Sequence, residues 1–209
     1  MERLNPYWTQ LLDAEKGPCA AFRKASKNHN LHLIPKRAFT VESISAMDIT
    51  GRTALHWIAQ HEAIDQVPKH VLTEKTLLAK AIDESTPLHW CAYSGQINLI
   101  PEEVLTMRAL LTTNDTGQNI FHWAAINGHI NKIPEQYLTA ETLSLLSNAK
   151  FTPIQVGAVH KQTSQFLGME LPEELTAALG KEWATENKRV IEAKKQLAEE
   201  VEAGQLDMY

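Results

Sequence analysis

Apolar and polar positions alternate along this chain in short blocks, and the blocks return with a period of 33 residues. Leu55-His56-Trp57 recurs as Leu88-His89-Trp90 and as Phe121-His122-Trp123. Ile34-Pro35, Val67-Pro68, Ile100-Pro101 and Ile133-Pro134 keep the same spacing, as do Phe39-Thr40, Leu72-Thr73, Leu105-Thr106 and Leu138-Thr139. Three marks in one register define a repeat, and a repeat of this length predicts one supersecondary unit per copy. Each unit opens on a threonine or asparagine, a helix cap, followed in two copies by a proline suited to the first helical turn. Leu88, Cys91 and Ala92 then fall on one helical face, and Gly95 and Gly128 are placed to stop the helix in a left-handed conformation. The second half of each unit is interrupted by proline. Residues 100–105 read as a short helix with Pro101 at its first position, and residues 106–111 as another capped by Thr106; Thr139 to Leu143 repeats the device. This pattern predicts an outer layer split into two helical pieces per unit.

The flanks differ. Residues 1–17 read as one capping helix with Leu4, Trp8, Leu11 and Leu12 on one side, ended by Gly17-Pro18. Leu171-Pro172-Glu173-Glu174-Leu175-Thr176 repeats the earlier wording five residues late, so the last unit carries an insertion or closes differently. From Lys181 to Ala203 the composition is helical, with Gly204 as its stop, for a length of about 35 Å. Trp183, Val190 and Leu197 recur every seven residues beside Ala193 and Val201. That stripe packs on the last unit, pairs with a second copy, or receives a partner.

The unit starts, TALHWIA (Thr53–Ala59), TPLHWCA (Thr86–Ala92) and NIFHWAA (Asn119–Ala125), with TPIQVGA (Thr152–Ala158) as a weaker fourth, resemble the T-P-L-H-x-A start of the ankyrin repeat. Counting back from the first gives Ala20-Ala21-Phe22-Arg23-Lys24-Ala25-Ser26, a degenerate copy without the histidine. The resemblance implies an all-α, ankyrin-like helical solenoid of about five 33-residue repeats with an N-terminal capping helix and a long C-terminal helix. The units run approximately 18–50, 51–83, 84–116, 117–149 and from 150 to 168 or beyond, with 169–209 as C-terminal cap and amphipathic helix. The proline-interrupted second half departs from the usual ankyrin pattern.

The resemblance also implies a binding surface built from turn tips and the open side of each first helix. Carried over residue by residue, the candidates are Arg52, Glu84, Ser85, Gln118 and Phe151 at the tips. Gln60, His61, Tyr93, Ser94, Ile126, Asn127, Val159 and His160 follow the helix cores. Glu84 stands where glycine is common, which predicts an altered turn. His56, His89 and His122 are expected to tie each turn to the next by hydrogen bonds, and Trp57, Trp90 and Trp123 to pack in the core or to form a contact edge.

Composition alters this picture little. The 209 residues are 44% apolar and 22% charged, as in an ordinary soluble protein. No apolar run is long enough to span a membrane, and the first ten residues lack the apolar stretch of a secretory signal. Two cysteines, Cys19 and Cys91, are too few for a disulfide framework, so the expected setting is cytoplasmic. The net charge of −5 is uneven: +3 over residues 1–47, −3 over 48–168 and −5 over 169–209. Only Arg23, Lys24, Lys27, Lys36 and Arg37 form a basic stretch, which disfavours nucleic acid as the partner.

Candidate chemistry is sparse. Histidines at one position of successive stacked helices stand about 8–10 Å apart, too far for the roughly 2 Å bonds of a zinc site. No glycine-rich phosphate loop, C-x-x-C or H-E-x-x-H pattern occurs. Paired acids such as Glu102-Glu103 sit at helix starts, where they favour the helix dipole. Neither catalytic residues nor a metal or cofactor is therefore expected. The function expected is a non-enzymatic protein-binding module: an adaptor, inhibitor or antagonist. Self-association through the C-terminal helix and nucleic-acid binding by the basic N-terminal unit are the alternatives.

Overall fold

A computed structural model of the chain describes residues 6–15 and 17–202, and within them the regular elements are helical. The α-helices are α1 (Pro6–Glu15), α2 (Pro18–Lys27), α3 (Val41–Ile44), α4 (Ala54–Gln60), α5 (Glu74–Leu77), α6 (Pro87–Tyr93), α7 (Met107–Leu110), α8 (Ile120–Asn127), α9 (Ala140–Leu143), α10 (Pro153–Val159), α11 (Glu173–Thr176) and α12 (Lys181–Glu202). Helices α2, α4, α6, α8 and α10 pack on one another in chain order, and α1 closes on α2. Their facing residues are small or apolar and lose nearly all contact with water: Ala25, Leu55, Ile58, Leu88, Cys91, Phe121 and Ala124 are fully buried. Burial of each large side chain among them contributes roughly 1.5–3 kcal/mol.

Between these helices the chain does not make the two pieces expected of the outer layer. It makes three: two single 3₁₀ turns followed by one α-turn, as in Ile64–Gln66, Lys69–Val71 and α5. The proline lies outside the turn it precedes. Pro101 is extended (φ −55°, ψ 134°), and the 3₁₀ turn is only Glu102–Val104. The residue before a proline is held out of the α region, so Ile100 and Pro101 together separate one turn from the next. Threonine then restarts the helix: Thr106 accepts from Ala109 N–H at 3.2 Å, and Thr73 and Thr139 are reciprocated by the hydroxyls of Thr76 and Thr142. Those hydroxyls also donate to Val71 O (2.6 Å) and Tyr137 O (2.7 Å), tying 3₁₀ turn to α-turn.

Left-handed backbone also follows the period. One series is His29, Glu62, Gly95, Gly128 and Lys161, just past each long helix; the other is Gly51, Glu84, Gly117 and Lys150 in each connecting turn. Glu84 therefore does not alter its turn, contrary to expectation. It adopts φ +54° in place of glycine, and an ion pair with Lys80 holds its side chain. Helix α8 ends with Gly128 as its cap; α6 ends one residue earlier in register, with Ser94 as cap and Gly95 at φ +72°.

Of the N-terminal stripe, Trp8 and Leu11 are buried and Leu12 is half-buried, while Leu4 lies outside the described residues. The C-terminal helix is anchored at its start. Trp183 is buried and donates its indole N–H to Thr163 O (3.0 Å). Asn187 accepts from Gly168 N–H (2.6 Å) and donates to Met169 O (3.0 Å). Val190 is half-buried, but Ala193 and Leu197 are exposed, so the stripe leaves the body midway. Gly204 and the side chain of Val201 lie outside the described residues. The delayed Leu171-Pro172 segment follows a longer 3₁₀ turn, Thr163–Phe166, and leads into α11 and a further 3₁₀ turn, Ala177–Leu179.

Candidate functional site

The connecting turns set the edge of the site. Each turn bonds to the one before it: Ile82 N–H to Thr50 O (3.0 Å), Asp115 N–H to Asp83 O (3.1 Å) and Asn148 N–H to Thr116 O (3.0 Å). Histidines brace the same turns from below. His56 and His89 accept at Nδ1 from the N–H of Thr53 (2.9 Å) and Thr86 (3.2 Å). Their Nε2–H groups donate to Ser85 O (3.1 Å) and Gln118 O (3.1 Å) in the next turn. Burial disfavours the imidazolium form and lowers both pKa values from 6.5 to about 4. His122 reaches Phe151 O at 3.0 Å, but its cap is Asn119, whose Oδ1 lies 2.8 Å from Nδ1. Its Nδ1 also faces the Asn119 N–H at 3.4 Å, and burial lowers its pKa.

With the turns fixed, the residue after each histidine forms a row of indoles. Trp90 and Trp123 meet edge-to-face at 5.1 Å, and Tyr93 closes on both, at 5.8 and 6.1 Å. All three rings are half-buried, Trp90 and Trp123 against the core, and the indole N–H groups of those two are buried without an acceptor. At the other end Trp57 donates to Asp48 Oδ2 (2.9 Å) and carries the ring of His61 stacked at 6.4 Å. Two guanidiniums lie over its ring, those of Arg23 (5.2 Å) and Arg52 (5.1 Å), and Arg52 also lies 4.8 Å from the centre of Trp90. Such cation–π contacts hold a long side chain in place for about 0.5–2 kcal/mol.

Two carboxylates stand nearby. Burial alone would raise the pKa of Asp48, but hydrogen bonds from Thr50, Trp57 and the Arg52 backbone hold it below the usual range. Burial opposes ionisation of Asp83 too. Ser85 donates to it from its hydroxyl (2.6 Å) and backbone N–H (3.1 Å), and Arg52 pairs with it at 3.8 Å; together they lower its pKa.

Of the candidates carried over by resemblance, Arg52, Gln60 and His61 come together around Trp57, with Gln60 accepting from Arg52 at 3.5 Å. Tyr93 joins the indole row, and Asn127 donates to its backbone carbonyl (3.0 Å). Ile126 is half-buried against the core. Ser94 is half-buried, its hydroxyl donating to Ala59 O and Trp90 O (2.9 and 2.7 Å). Gln118 is half-buried; Glu84, Phe151, Val159 and His160 are exposed. Ser85 is a correction. It is fully buried, with its hydroxyl on Asp83 and its carbonyl on His56, so it supports the turn from inside and faces no partner.

The sequence reading missed Arg23, Asp48 and Asp83 as members of this face. It also missed the two most exposed large aliphatic side chains, Ile49 (97% exposed) and Ile82 (76%), which project from successive turns. Their signal was present: Ile49 and Ile82 are one period apart, and Arg23 stands at the register position of the histidine.

Among the described residues, no group of three or more His, Cys, Asp or Glu is placed to hold a metal ion, and no helix is long and apolar enough to cross a membrane. Both cysteines are free and buried, and burial pushes the Cys19 thiol up to about 12 and the Cys91 thiol higher. An open cleft of about 1040 Å³ lies between α12 and the 3₁₀ turns near Ile133; its lysines and glutamates are interspersed. No family model matches the chain, and no curated protein matches it.

Proposed function

We propose that the chain is a divergent ankyrin-like repeat protein, a helical solenoid of about five units, that acts without catalysis by binding another protein. The observation that carries this reading is the ring row Trp57, Trp90, Trp123 and Tyr93, spread over three successive helices and bordered by turn tips whose side chains differ from unit to unit. Around the rings stand residues that change from unit to unit, Arg52, Tyr93 and Ile126, each half-buried, and the exposed Phe151, and aromatic and arginine anchors dominate protein interfaces. The raised thiol pKa values leave no activated cysteine, and free cysteines agree with a reducing, cytoplasmic setting. A Tyr93→Ala, Phe151→Glu double variant tests the reading. It should keep the wild-type melting curve and lose the proteins that wild type captures from cells of the source organism. Capture of the same proteins by both forms would overturn it.

A second reading rests on Leu197, which is 55% exposed on the distal half of α12. With Ala193 also exposed, this part of the apolar stripe is open to a second copy. Light scattering of the eluted peak decides: a dimer that becomes monomeric with Leu197→Lys supports it, and a monomer throughout removes it.

A further inference from the structure

We propose that the partner segment received by this face is an acidic–apolar peptide: a carboxylate side chain that docks at Arg23 and Arg52, next to a large apolar side chain that docks on the Tyr93 end of the ring row. The inference rests on the protein-binding reading above and adds the chemistry of the partner.

The charge arrangement points to it. Two guanidiniums are gathered over one indole, each about 5 Å from the Trp57 centroid. Like charges so close repel, and the carboxylates at hand compensate only in part. Asp83 pairs with Arg52 at 3.8 Å. Asp48 has its two oxygens engaged by Thr50, the Arg52 backbone and the Trp57 indole. Arg23 is exposed and, among the described residues, has no carboxylate within 4 Å. Stacking on Trp57 has already fixed its side chain, so part of the rotamer entropy that a salt bridge normally costs is lost before binding. A fixed planar guanidinium with free N–H groups is matched by the two oxygens of a carboxylate.

The neighbouring end of the row supplies the apolar half. Trp90, Trp123 and Tyr93 form one cluster of half-buried rings, and none of them carries a charge. A nucleic acid fits this face poorly. The three rings pack edge-to-face on one another and not as parallel platforms on which successive bases stack. Asp48, Asp83 and Glu84 stand on successive turns of the same border, so a chain with a charge at every nucleotide meets all three, whereas a single carboxylate seated at Arg23 does not.

The test uses the full chain and random peptides displayed on phage. Peptides enriched on wild type are synthesised, and their Kd values are measured against wild type, Arg23→Gln, Arg23→Lys, Tyr93→Ala and the exposed-site variant Val159→Asp. Melting curves check that each variant is folded. Enriched peptides should carry Asp or Glu beside a large apolar residue. Arg23→Gln should weaken them about tenfold, the scale of one charge-assisted pair, and Arg23→Lys should restore only part of that. Replacing the peptide's acid by its amide should cost the same tenfold on wild type and nothing further on Arg23→Gln. Peptides that depend on Tyr93 or Val159 but are neutral or basic, with no such coupling to Arg23, would overturn the acidic assignment and leave the binding-module reading standing. Failure to enrich any peptide that depends on this face would overturn both. Tighter binding of a labelled single-stranded oligothymidine than of the enriched peptides, lost in Arg23→Gln, would replace the peptide by nucleic acid.

Discussion

His56 and Ser85 are 29 residues apart and joined at 3.1 Å, imidazole Nε2–H to backbone carbonyl. The same bond joins His89 to Gln118 one period on. In each case one buried ring satisfies a backbone N–H in its own unit and a carbonyl in the next. Replacing His89 by Ala orphans the Thr86 N–H and the Gln118 carbonyl and leaves a cavity in a fully buried site. We expect a loss on the order of 3 kcal/mol, since each buried unpaired polar group costs about 1–3 kcal/mol. Urea unfolding of the variant measures it, and a midpoint unchanged from wild type would deny the ring its bridging role.

The same rings make stability depend on pH. In the folded chain His56 and His89 titrate at about 4, against an ordinary value of 6.5. Between those values the unfolded chain binds more protons than the folded one, so stability falls as pH falls from 6.5 towards 4. Each ring contributes on the order of 3 kcal/mol over that window. Asp48 and Asp83, held below the usual carboxylate range, add to the loss at lower pH in the same direction. The thermal midpoint should be flat above pH 7 and drop steeply below 6, and His56→Gln with His89→Gln should flatten the slope. An acid limb as steep in that double variant would assign the effect to other groups.

Left-handed positions provide a paired test. Glu62 is exposed at φ +59°, and the equivalent residues one and two units further along the series are Gly95 and Gly128. Glu62→Gly removes the clash of a side chain in that conformation and should stabilise by about 0.5–1 kcal/mol. Gly117→Ala should do the reverse. Its φ is +71°, and a Cβ there would stand 2.9 Å from Asn148 N, the donor that bonds Thr116 O in the preceding turn. The expected cost is about 1–3 kcal/mol. Differential scanning calorimetry of both variants gives the signs, and equal signs would contradict the argument.

The period was legible because the residues in register serve the backbone. Threonine caps, histidines that bridge turns and prolines that separate them leave fixed marks in the chain. Whatever depends on side-chain direction was less legible. Ser85 stands at a tip in sequence yet points inward, because Asp83 draws its hydroxyl and His56 takes its carbonyl. Arg23 reads as one charge in a basic stretch, and only the packing of α2 on α4 puts it over Trp57. The three-part outer layer was also hidden, since a single 3₁₀ turn has no hydrophobic period to show.

Gln96 offers a test of the joints between units. It is buried, accepts from Ile64 N–H (2.8 Å) and donates to Ala59 O (3.1 Å). Gln165 repeats both bonds for Ile130 N–H and Ala125 O, both at 3.0 Å. Gln96→Leu keeps the volume but strands the Ile64 N–H, so a loss of about 1–3 kcal/mol is expected. Amide exchange at Ile64 should speed up more than at Ile130. Equal changes at the two sites would mean that the joint at Gln96 is not local.

The last joint closes by a change of volume. Along the register Ile58, Cys91, Ala124 and Gly157 shrink step by step, while Val67, Ile100, Ile133 and Phe166 end in a large ring. The two series meet at Gly157: a Cβ there would lie 2.6 Å from Phe166 Cε2 and 3.0 Å from Cζ, and Phe166 is itself fully buried. The glycine makes room for the ring. Gly157→Ala should therefore destabilise by about 1–3 kcal/mol through overpacking, although alanine is the better helix former by up to about 1 kcal/mol. Combining it with Phe166→Leu should return part of the loss, because the shorter side chain vacates the space the methyl needs. Non-additive urea midpoints in the double variant would show this coupling; additive losses would separate the two residues and leave the glycine without a packing role.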